Sequence, residues 1–338
     1  MSAGRFSDFD HECMARALEL ARRALYTTDP NPRVGCVLAH DSLIIAEGFH
    51  ARAGDPHAER NALATAGEHA RGATAYVTLE PCSHTGRTGP CADALIEAGV
   101  ARVVAAMEDP NPQVAGTGLQ RLRDAGIQVD TGLQEADARA LNPGFVLRMS
   151  QGRPLIRIKA AASLDGRTAM ASGESQWITG PEAREDVQRL RARSSAIVTG
   201  IGTVLADRPS YTVRPEQWRH GEYADGPVRA PLRVILDPAL RTPVDSPVVT
   251  ADGPCLIAHA DDPGAAPEER RRALEHAGAE LLAMPRARAA SDPAEPGAAT
   301  RAERRGLDLH ALTAELTRRE CNEVLVECGA TLAGAFVR

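Results

Sequence analysis

The sequence has few aromatic residues, no long apolar run and no excess of positive charge. Phenylalanine, tryptophan and tyrosine together make up 3% of the chain. No stretch is apolar for long enough to span a bilayer, and residues 1–10 lack the apolar core of a signal peptide. The formal net charge is −6, whereas nucleic-acid binders depend on clustered Lys and Arg. These absences predict a cytoplasmic protein without membrane or nucleic-acid partners.

Disulfide bonds are not expected, although the chain contains seven cysteines. Their number is odd, and the chain has the composition of an intracellular protein, in which thiols stay reduced. Two of them belong to a candidate metal site. The others are expected to be small buried hydrophobic residues; they are Cys13, Cys36, Cys255, Cys321 and Cys328.

The length of the chain predicts two domains, because one hydrophobic core rarely serves 338 residues. The segment 142–154 is rich in Pro and Gly, which end helices and strands. We therefore place the domain boundary there and expect domains at 1–146 and 152–338.

Hydrophobic periodicity predicts strands that alternate with short helices, which indicates an α/β layer fold. Ser7 can cap the first helix, and Pro181 can begin a later one. In the first domain we expect strands at 34–39, 43–48, 75–79, 103–107 and 127–129, and helices at 57–66, 91–97 and 119–125. In the second we expect strands at 155–162, 196–198, 232–236, 256–258 and 323–327, and helices at 181–193 and 309–318.

A histidine–glutamate pair and two downstream cysteines form the most specific chemical pattern. His57-Ala58-Glu59 is followed by Pro81-Cys82 and by Cys91, with eight residues between the cysteines. One imidazole and two thiolates can bind Zn²⁺ and leave its fourth position to water, whose pKa the metal lowers toward neutrality. Glu59 is then placed to move protons. The pattern is similar to the signature of zinc-dependent base deaminases, in which two residues separate the cysteines.

The predicted elements bring these candidate ligands together. His57 and Cys91 each lie in the first turn of a predicted helix, so both can point to one spot. The positive end of a helix dipole favours a thiolate over a thiol, and we expect this effect at Cys82 and Cys91.

The alternative to a catalytic zinc site is a structural one, or no metal. A structural site is closed by four ligands, and His84 or Cys36 could supply the fourth. His84 shares a loop with Arg87, which suits contact with an anion or a ring, and Cys36 lies on an apolar strand. The catalytic interpretation is favoured because motif order and context agree.

Two glycine turns mark a candidate phosphate-binding edge in the second domain. Residues 200–207 follow an apolar strand and begin a helix, and residues 327–335 repeat this order. Backbone N–H groups at such a turn can bind phosphate. The first turn does not match Gly-x-Gly-x-x-Gly, so its spacing alone is a weak signal. Two such turns in one domain favour a dinucleotide site.

Further motifs follow one another along nearly the whole chain. They are Asn31-Pro32-Arg33-Val34-Gly35-Cys36-Val37, the segments 78–91 and 108–112, Lys159, the segments 162–169 and 173–179, and 324–327 with the glycine-rich stretch after it. In this order they resemble the bifunctional family of riboflavin biosynthesis that joins a diaminohydroxyphosphoribosylaminopyrimidine deaminase to a 5-amino-6-(5-phosphoribosylamino)uracil reductase.

For the first domain the resemblance implies a cytidine-deaminase-like three-layer α/β/α fold. Zn²⁺ on His57, Cys82 and Cys91 would serve the hydrolytic deamination of 2,5-diamino-6-(5-phosphoribosylamino)pyrimidin-4(3H)-one. Glu59 would protonate the ring nitrogen and later the departing ammonia. The implied substrate contacts are Asn31, His84, Arg87, Asp109 and Asn111. A turn or capping role would explain each of these nearly as well, since several adjoin prolines.

For the second domain the resemblance implies a dihydrofolate-reductase-like α/β fold that uses NADPH to reduce 5-amino-6-(5-phosphoribosylamino)uracil to the ribitylamino product. The implied cofactor contacts are Ala161, Trp177, Thr203, Asp207, Gly329, Ala330, Thr331, Leu332, Ala333, Gly334 and Ala335. The implied substrate contacts are Lys159, Ser175, Arg191, Tyr211, Arg214 and Glu327, with Arg191 and Arg214 as phosphate clamps. Trp177 could instead be a core aromatic.

Three other interpretations stay open at this point. Family members continue beyond the position of Arg338, so the reductase domain is expected to be shortened, with the deaminase active and the reductase impaired. Alternatively, a nucleoside or tRNA-base deaminase is fused to an unrelated domain. The third is a zinc-stabilised binding module without catalysis. We expect a homo-oligomer that acts on small phosphoribosyl pyrimidines.

Overall fold

The structure is a computed structural model that describes residues 5–83, 89–112, 114–172, 177–214, 228–262, 267–287 and 306–337. Across these ranges, none of the helices combines the length and the apolar character needed to cross a membrane. The backbone divides between Gly152 and Arg153 into two compact units, and each unit is built on its own sheet.

The first unit contains a mixed sheet with helices packed against it. Its strands are β1 (Gly35–His40), β2 (Leu43–Phe49), β3 (Thr74–Val77), β4 (Arg102–Ala105) and β5 (Gln128–Thr131). Its helices are α1 (Asp8–Arg22), α2 (Ala58–Ala66), α3 (Cys91–Ala98), α4 (Thr117–Asp124), α5 (Glu135–Leu141) and α6 (Pro143–Gln151), with a 3-10 turn at Gly67–Ala70. The strand order is β2-β1-β3-β4-β5. Because β3, β4 and β5 are parallel, the segments that follow them begin at a common edge.

A helix occupies most of the segment in which the sequence predicted a break. Pro143 is the first residue of α6, where its missing N–H group leaves no bond unmade. Gly152 ends the helix with a φ of 65°, in the left-handed region that glycine adopts freely. The Asn142 side chain bonds the backbone N and O of Arg33 at 2.8 and 2.9 Å. The flanking elements do end around this segment, since α5 stops at Leu141 and β6 begins at Leu155, but the sequence analysis missed the helix that lies between them.

The start of α1 is fixed by a buried carboxylate. Asp10 is 5% exposed, and its two oxygens accept from Ser7 N and Oγ at 2.8 and 2.9 Å. They also accept from Tyr76 Oη at 2.8 Å and from Arg102 Nη1 at 2.7 Å. Burial opposes ionisation of Asp10, but these donors outweigh it and lower the pKa from 3.8 to about 2. The predicted Ser7 cap is therefore confirmed and extended to β3 and β4.

Because the pKa of Asp10 is lowered in the folded chain, we expect the free energy of unfolding to fall in acid. The pKa of Asp10 is lower in the folded chain than in the unfolded chain, so its ionised carboxylate stabilises the fold above about pH 4. This contribution is about 2 kcal/mol, and it disappears as the pH falls toward about 2. Asp10→Asn should therefore be less stable than the native chain at pH 6, with a difference that narrows through this window. Urea unfolding at several pH values measures it. The exposed Asp8→Asn control should match the native chain throughout, and a constant Asp10→Asn deficit would contradict the expectation.

The second unit is built on a parallel sheet. Its strands are β6 (Leu155–Lys159), β7 (Ala196–Gly200), β8 (Leu232–Leu236), β9 (Cys255–Ala260), β10 (Glu280–Met284) and β11 (Glu323–Glu327). Its helices are α7 (Pro181–Arg193), α8 (Ile201–Asp207), α9 (Pro247–Thr250), α10 (Glu268–His276), α11 (Leu309–Arg318) and α12 (Ala330–Val337). The strand order is β10-β9-β8-β7-β11-β6, and every pair is parallel.

The order of these strands creates a switch point. From β7 the chain proceeds outward through β8, β9 and β10, and then returns to insert β11 between β7 and β6. Ligands of open parallel sheets bind beyond the carboxyl ends of the strands, where the order reverses. The ends of β6, β7 and β11 are therefore the expected ligand edge of this unit.

The opposite end of β11 carries a buried ion cluster. The side chain of Glu323 is 1% exposed and accepts from Arg193 Nε and Nη2 at 2.9 and 3.1 Å. It also pairs with Arg157 on β6. Two cations compensate one buried carboxylate, so β11 is fixed between its neighbours at the end remote from the expected ligand edge.

Candidate metal centre and second site

Three predicted metal ligands converge in the first unit. His57 is the N-cap residue of α2, Cys91 is the first residue of α3, and Cys82 lies in the segment after β3. The Nδ1 atom of His57 is 3.5 Å from Cys82 Sγ and 3.4 Å from Cys91 Sγ. All three ligand atoms lie within 4.8 Å of one another.

These separations fit a tetrahedral zinc ion. With Zn–N near 2.0 Å and Zn–S near 2.3 Å, tetrahedral angles place nitrogen and sulfur ligands about 3.5 Å apart. The measured separations are 3.5 and 3.4 Å. One imidazole and two sulfurs also form a donor set typical of zinc. The residues present therefore fit the metal that the motif predicts.

Hydrogen bonds prepare Cys82 as a thiolate. The Cys91 thiol, the His57 ring and the Cys91 backbone N–H, which is 3.3 Å from Cys82 Sγ, lower the pKa of Cys82 to about 4. The expected helix effect reaches Cys82 indirectly, because this residue lies outside a helix but accepts from the first N–H of α3. In Cys91, by contrast, the hydrogen bond to Cys82 and the burial of the thiol raise the pKa.

Glu59 lies beside the three ligands in an environment that favours proton transfer. It is 3% exposed and belongs to the first turn of α2. Burial raises the pKa of Glu59 to about 7, and its carboxyl group also hydrogen-bonds Cys91. A carboxyl group with a pKa near neutrality can accept and return a proton at physiological pH.

Cys36, one of the two proposed fourth ligands, does not join the group. Within the part of the chain that the structure describes, His57, Cys82 and Cys91 form the cluster that could hold a metal. Cys36 is fully buried on β1, and burial raises the pKa of its thiol well above the ordinary value. His84 lies outside the described residues, as does Arg87. The described geometry thus has three protein donors, as an open catalytic site requires.

Asn31 reaches this site through a histidine that the sequence analysis missed. Asn31 Nδ2 is 3.0 Å from His50 Nε2, and His50 Nδ1 is 3.1 Å from the Pro56 carbonyl. The rings of His50 and His57 meet edge to face at 5.2 Å between centroids. Burial lowers the pKa of His50, so the neutral ring donates to Pro56 and accepts from Asn31. Its position after β2 was the only local signal.

Asp109 and Asn111 lie after β4, and the turn chemistry considered for them is present. Asp109 Oδ1 accepts from Asn111 N at 2.8 Å, and the Asn111 carbonyl accepts from Val114 N and Ala115 N at 2.9 Å each. The Asp109 carboxylate thus shapes the turn that carries Asn111. Their contact with a substrate stays a prediction.

In the second unit, both glycine turns come to the expected ligand edge. Glu327 pairs with Lys159, and Val326 pairs with Val198, so the strands that precede the turns run side by side. A Cβ on Gly200 would meet Leu332 at 3.5 Å. Residues 330–335 form the first turns of α12, and Thr203 and Asp207 lie on α8.

Arg191, Tyr211 and Glu327 form a compact cluster at this edge. Arg191 Nε and Nη2 bind the two Glu327 oxygens at 2.6 and 2.9 Å, and Nη1 donates to the Thr212 carbonyl at 3.3 Å. Tyr211 Oη donates to the Glu327 carbonyl at 3.0 Å, and its ring lies 5.4 Å from the guanidinium. The predicted phosphate clamp is thus bound to a carboxylate in this arrangement.

Two of the remaining predicted contacts, Trp177 and Arg214, are exposed. Trp177 is 72% exposed and lies beneath Arg184 at 4.6 Å, so its interpretation as a core aromatic is wrong. Ala161 follows β6, and Arg214 N donates to Gln188 Oε1 at 3.0 Å. Ser175 lies outside the described residues.

Both halves of the chain match known families. A family model described as the cytidine and deoxycytidylate deaminase zinc-binding region matches residues 7–107, and one described as the RibD C-terminal domain matches residues 154–338. The riboflavin biosynthesis protein RibD of Escherichia coli (strain K12) is 51% identical over 336 residues, which cover 97% of this chain and 84% of that protein. That of Aquifex aeolicus (strain VF5) is 37% identical over 334 residues, covering 98% and 84%.

Solved structures of similar proteins point to the same family as the sequence matches. RibD of Acinetobacter baumannii, form 1, superimposes with a TM-score of 0.82 at 45% identity, covering 97% of this chain and 83% of that one. The diaminohydroxyphosphoribosylaminopyrimidine deaminase/5-amino-6-(5-phosphoribosylamino)uracil reductase of Thermotoga maritima has a TM-score of 0.78 at 34% identity, with the same coverages of 97% and 83%.

Fold, site and relatives define a zinc-dependent deaminase joined to an NADPH-dependent reductase. The chain belongs to the RibD family of riboflavin biosynthesis. It is a bifunctional hydrolase and oxidoreductase that acts on small molecules, with Zn²⁺ and NADPH as cofactors. The predicted α/β fold of both domains is confirmed. The alternatives of an unrelated second domain and of a non-catalytic module are wrong.

Proposed function

We propose that residues 1–146 deaminate 2,5-diamino-6-(5-phosphoribosylamino)pyrimidin-4(3H)-one, and that residues 152–338 reduce 5-amino-6-(5-phosphoribosylamino)uracil with NADPH to the ribitylamino product. The observation that carries the first activity is the convergence of His57, Cys82 and Cys91 beside the buried carboxyl group of Glu59. The name of the Thermotoga maritima relative supports the substrate pair.

Glu59 transfers the protons of the deamination. Zinc, when bound by His57, Cys82 and Cys91, supplies a water of lowered pKa at its open position. The Glu59 carboxylate takes a proton from the attacking water and gives it to the ring nitrogen beside the amine-bearing carbon. Glu59 then takes the proton of the hydroxyl group that has been added to the ring carbon and gives it to the amine, which leaves as ammonia. A pKa near 7 lets the same group serve in both directions.

Substrate binding falls to the groups around the metal site. The ring and its substituents bind to Asn31, whose amide is oriented by His50. They also bind to the turn that carries Asp109 and Asn111. His84 and Arg87 belong to the segment between the two cysteines and bind the ribosyl phosphate end. The orientation of Asn31 by a neutral His50 supports a fixed hydrogen-bonding role for its amide.

The reductase site lies at the carboxyl ends of β6, β7 and β11. NADPH, when bound, supplies the hydride. Ala161, Trp177, Thr203, Asp207 and residues 329–335 hold the cofactor, while Lys159, Ser175, Arg191, Tyr211, Arg214 and Glu327 hold the substrate. The salt bridge between Arg191 and Glu327 supports the second assignment, because it fixes two of these side chains at the edge where ligands bind.

Ammonia release distinguishes this function from that of other deaminases. The purified chain should release ammonia from the diaminopyrimidine precursor and not from cytidine at equal concentration. NADPH oxidation on adding the deaminated product tests the second activity separately. Equal turnover of cytidine would overturn the substrate assignment, and an unchanged NADPH absorbance would overturn the reductase assignment.

We also propose a cytoplasmic homo-oligomer without membrane or nucleic-acid partners. All seven cysteines are free thiols, which suits a reducing compartment and a thiolate metal site. The net charge of −6 opposes binding to phosphate backbones. Sedimentation velocity tests the assembly, and a monomer at micromolar concentration would contradict it.

A further inference from the structure

A buried carboxylate, that of Glu80, lies between β3 and Cys82 and hydrogen-bonds much of the surrounding backbone. Glu80 is 4% exposed. Its Oε2 accepts from Asp109 N at 3.0 Å and from Gly116 N at 2.9 Å. Its Oε1 accepts from Gly118 N at 2.8 Å and from Leu119 N at 3.3 Å. One side chain therefore joins the start of the segment after β4 to the first turn of α4.

The first turn of α4 packs against the segment that leads to Cys82. A Cβ on Gly118 would lie 1.9 Å from the Pro81 carbonyl oxygen, so the first turn of α4 touches the residue before Cys82. Ser83 Oγ and Thr117 Oγ1 are 2.6 Å apart, on the other side of Cys82. Glu80 N also donates to the Met107 carbonyl at 3.0 Å.

The geometry points to Glu80 as a positioning residue of the deaminase site: we propose that its four backbone hydrogen bonds set the distance between Cys82 and the turn that carries Asp109 and Asn111. The inference rests on the proposed function, because it treats that turn as a substrate contact. Glu80 acts through this turn and takes no part in the proton transfers.

Glu80→Gln tests the proposal with little change in shape. A carboxylate offers acceptor sites on both oxygens, whereas an amide offers them on one and presents donors on the other side. In the variant, one pair of backbone N–H groups faces an NH₂ group, which displaces the turn. We expect zinc content to stay at one per chain and KM for the diaminopyrimidine to rise about 10-fold, with a smaller change in kcat. The exposed Glu97→Gln on α3 is the matched control and should behave as the native chain.

A double-mutant cycle with Asn111→Ala separates positioning from general support of the fold. If Glu80 acts through the turn, Glu80→Gln should raise KM less than about 3-fold once Asn111 is gone. A purely architectural role instead lowers the melting temperature and leaves KM unchanged, or adds its effect fully to that of Asn111→Ala. Either result overturns the proposal.

The outcomes also distinguish this inference from the proposed function. A native chain that releases no ammonia from the precursor refutes the function itself. If the native chain and Glu97→Gln deaminate the precursor normally and Glu80→Gln has a native KM, only the role of Glu80 is refuted. Should Glu80→Gln not accumulate as folded, zinc-loaded protein, Glu80→Asp enters the same cycle, because its shorter carboxylate reaches one pair of donors and not both.

Discussion

Glu59→Gln should slow ammonia release by about 10²–10⁴-fold, the range in which a positioned acid–base group contributes to a reaction. The amide keeps the size of the side chain but cannot carry a proton between water, ring nitrogen and leaving group. Because Glu59 is not needed as a metal ligand, the variant should retain one zinc per chain. Single-turnover ammonia release and metal analysis of the same sample measure both quantities.

The matched control is Glu68→Gln, the same change at an exposed position just after α2. It should keep native activity and native zinc content. If Glu59→Gln lost its zinc together with its activity, Glu59 would be acting on the metal and not on protons. If it kept native turnover, the proton-transfer role would be refuted.

Elements with a strong local signal in the sequence were predictable. The predicted helices 181–193 and 309–318 and the strand 323–327 coincide with α7, α11 and β11. Each has a strong local signal, such as Pro181 at the first position of α7 or the fully buried run of β11. Local periodicity and capping suffice where packing agrees with them.

Elements with weak local signals were missed. In α10 only Leu274 is buried, and its other residues are mostly charged, so the helix shows little periodicity. β10 lies at the edge of its sheet with half-exposed residues. The helix α6 was also missed, although Pro143 and Gly152 mark its first residue and its cap.

The metal site was predictable because its residues are chemically specific and closely spaced, whereas the residues that orient it depend on distant contacts. Glu80 bonds Gly116 across 36 positions; at the separate site of the second unit, Arg191 bonds Glu327 across 136. No periodicity or motif spacing reports such pairs, which exist only once the sheets bring the segments together.

Cys91→Ser should abolish zinc binding and, with it, deamination. The serine hydroxyl stays protonated near neutral pH, and zinc in such sites is bound by thiolate, imidazole or carboxylate. Loss of a partner behind a ligand costs about 10–100-fold in metal affinity, so loss of a ligand should cost more than about 100-fold. The thiol also contributes to the hydrogen bonds that lower the pKa of Cys82, so the remaining ligands are less prepared.

Zinc content after dialysis against a weak chelator, followed by ammonia release with added zinc, measures this effect. The native chain should regain activity on zinc addition, and Cys91→Ser should not. Cys13→Ser supplies the matched control, because Cys13 is equally buried in the same unit and lies outside the ligand group; it should lose some stability but keep zinc and turnover. A Cys91→Ser protein that retained stoichiometric zinc would contradict the expectation, because it would show that the site binds the metal without the Cys91 thiolate.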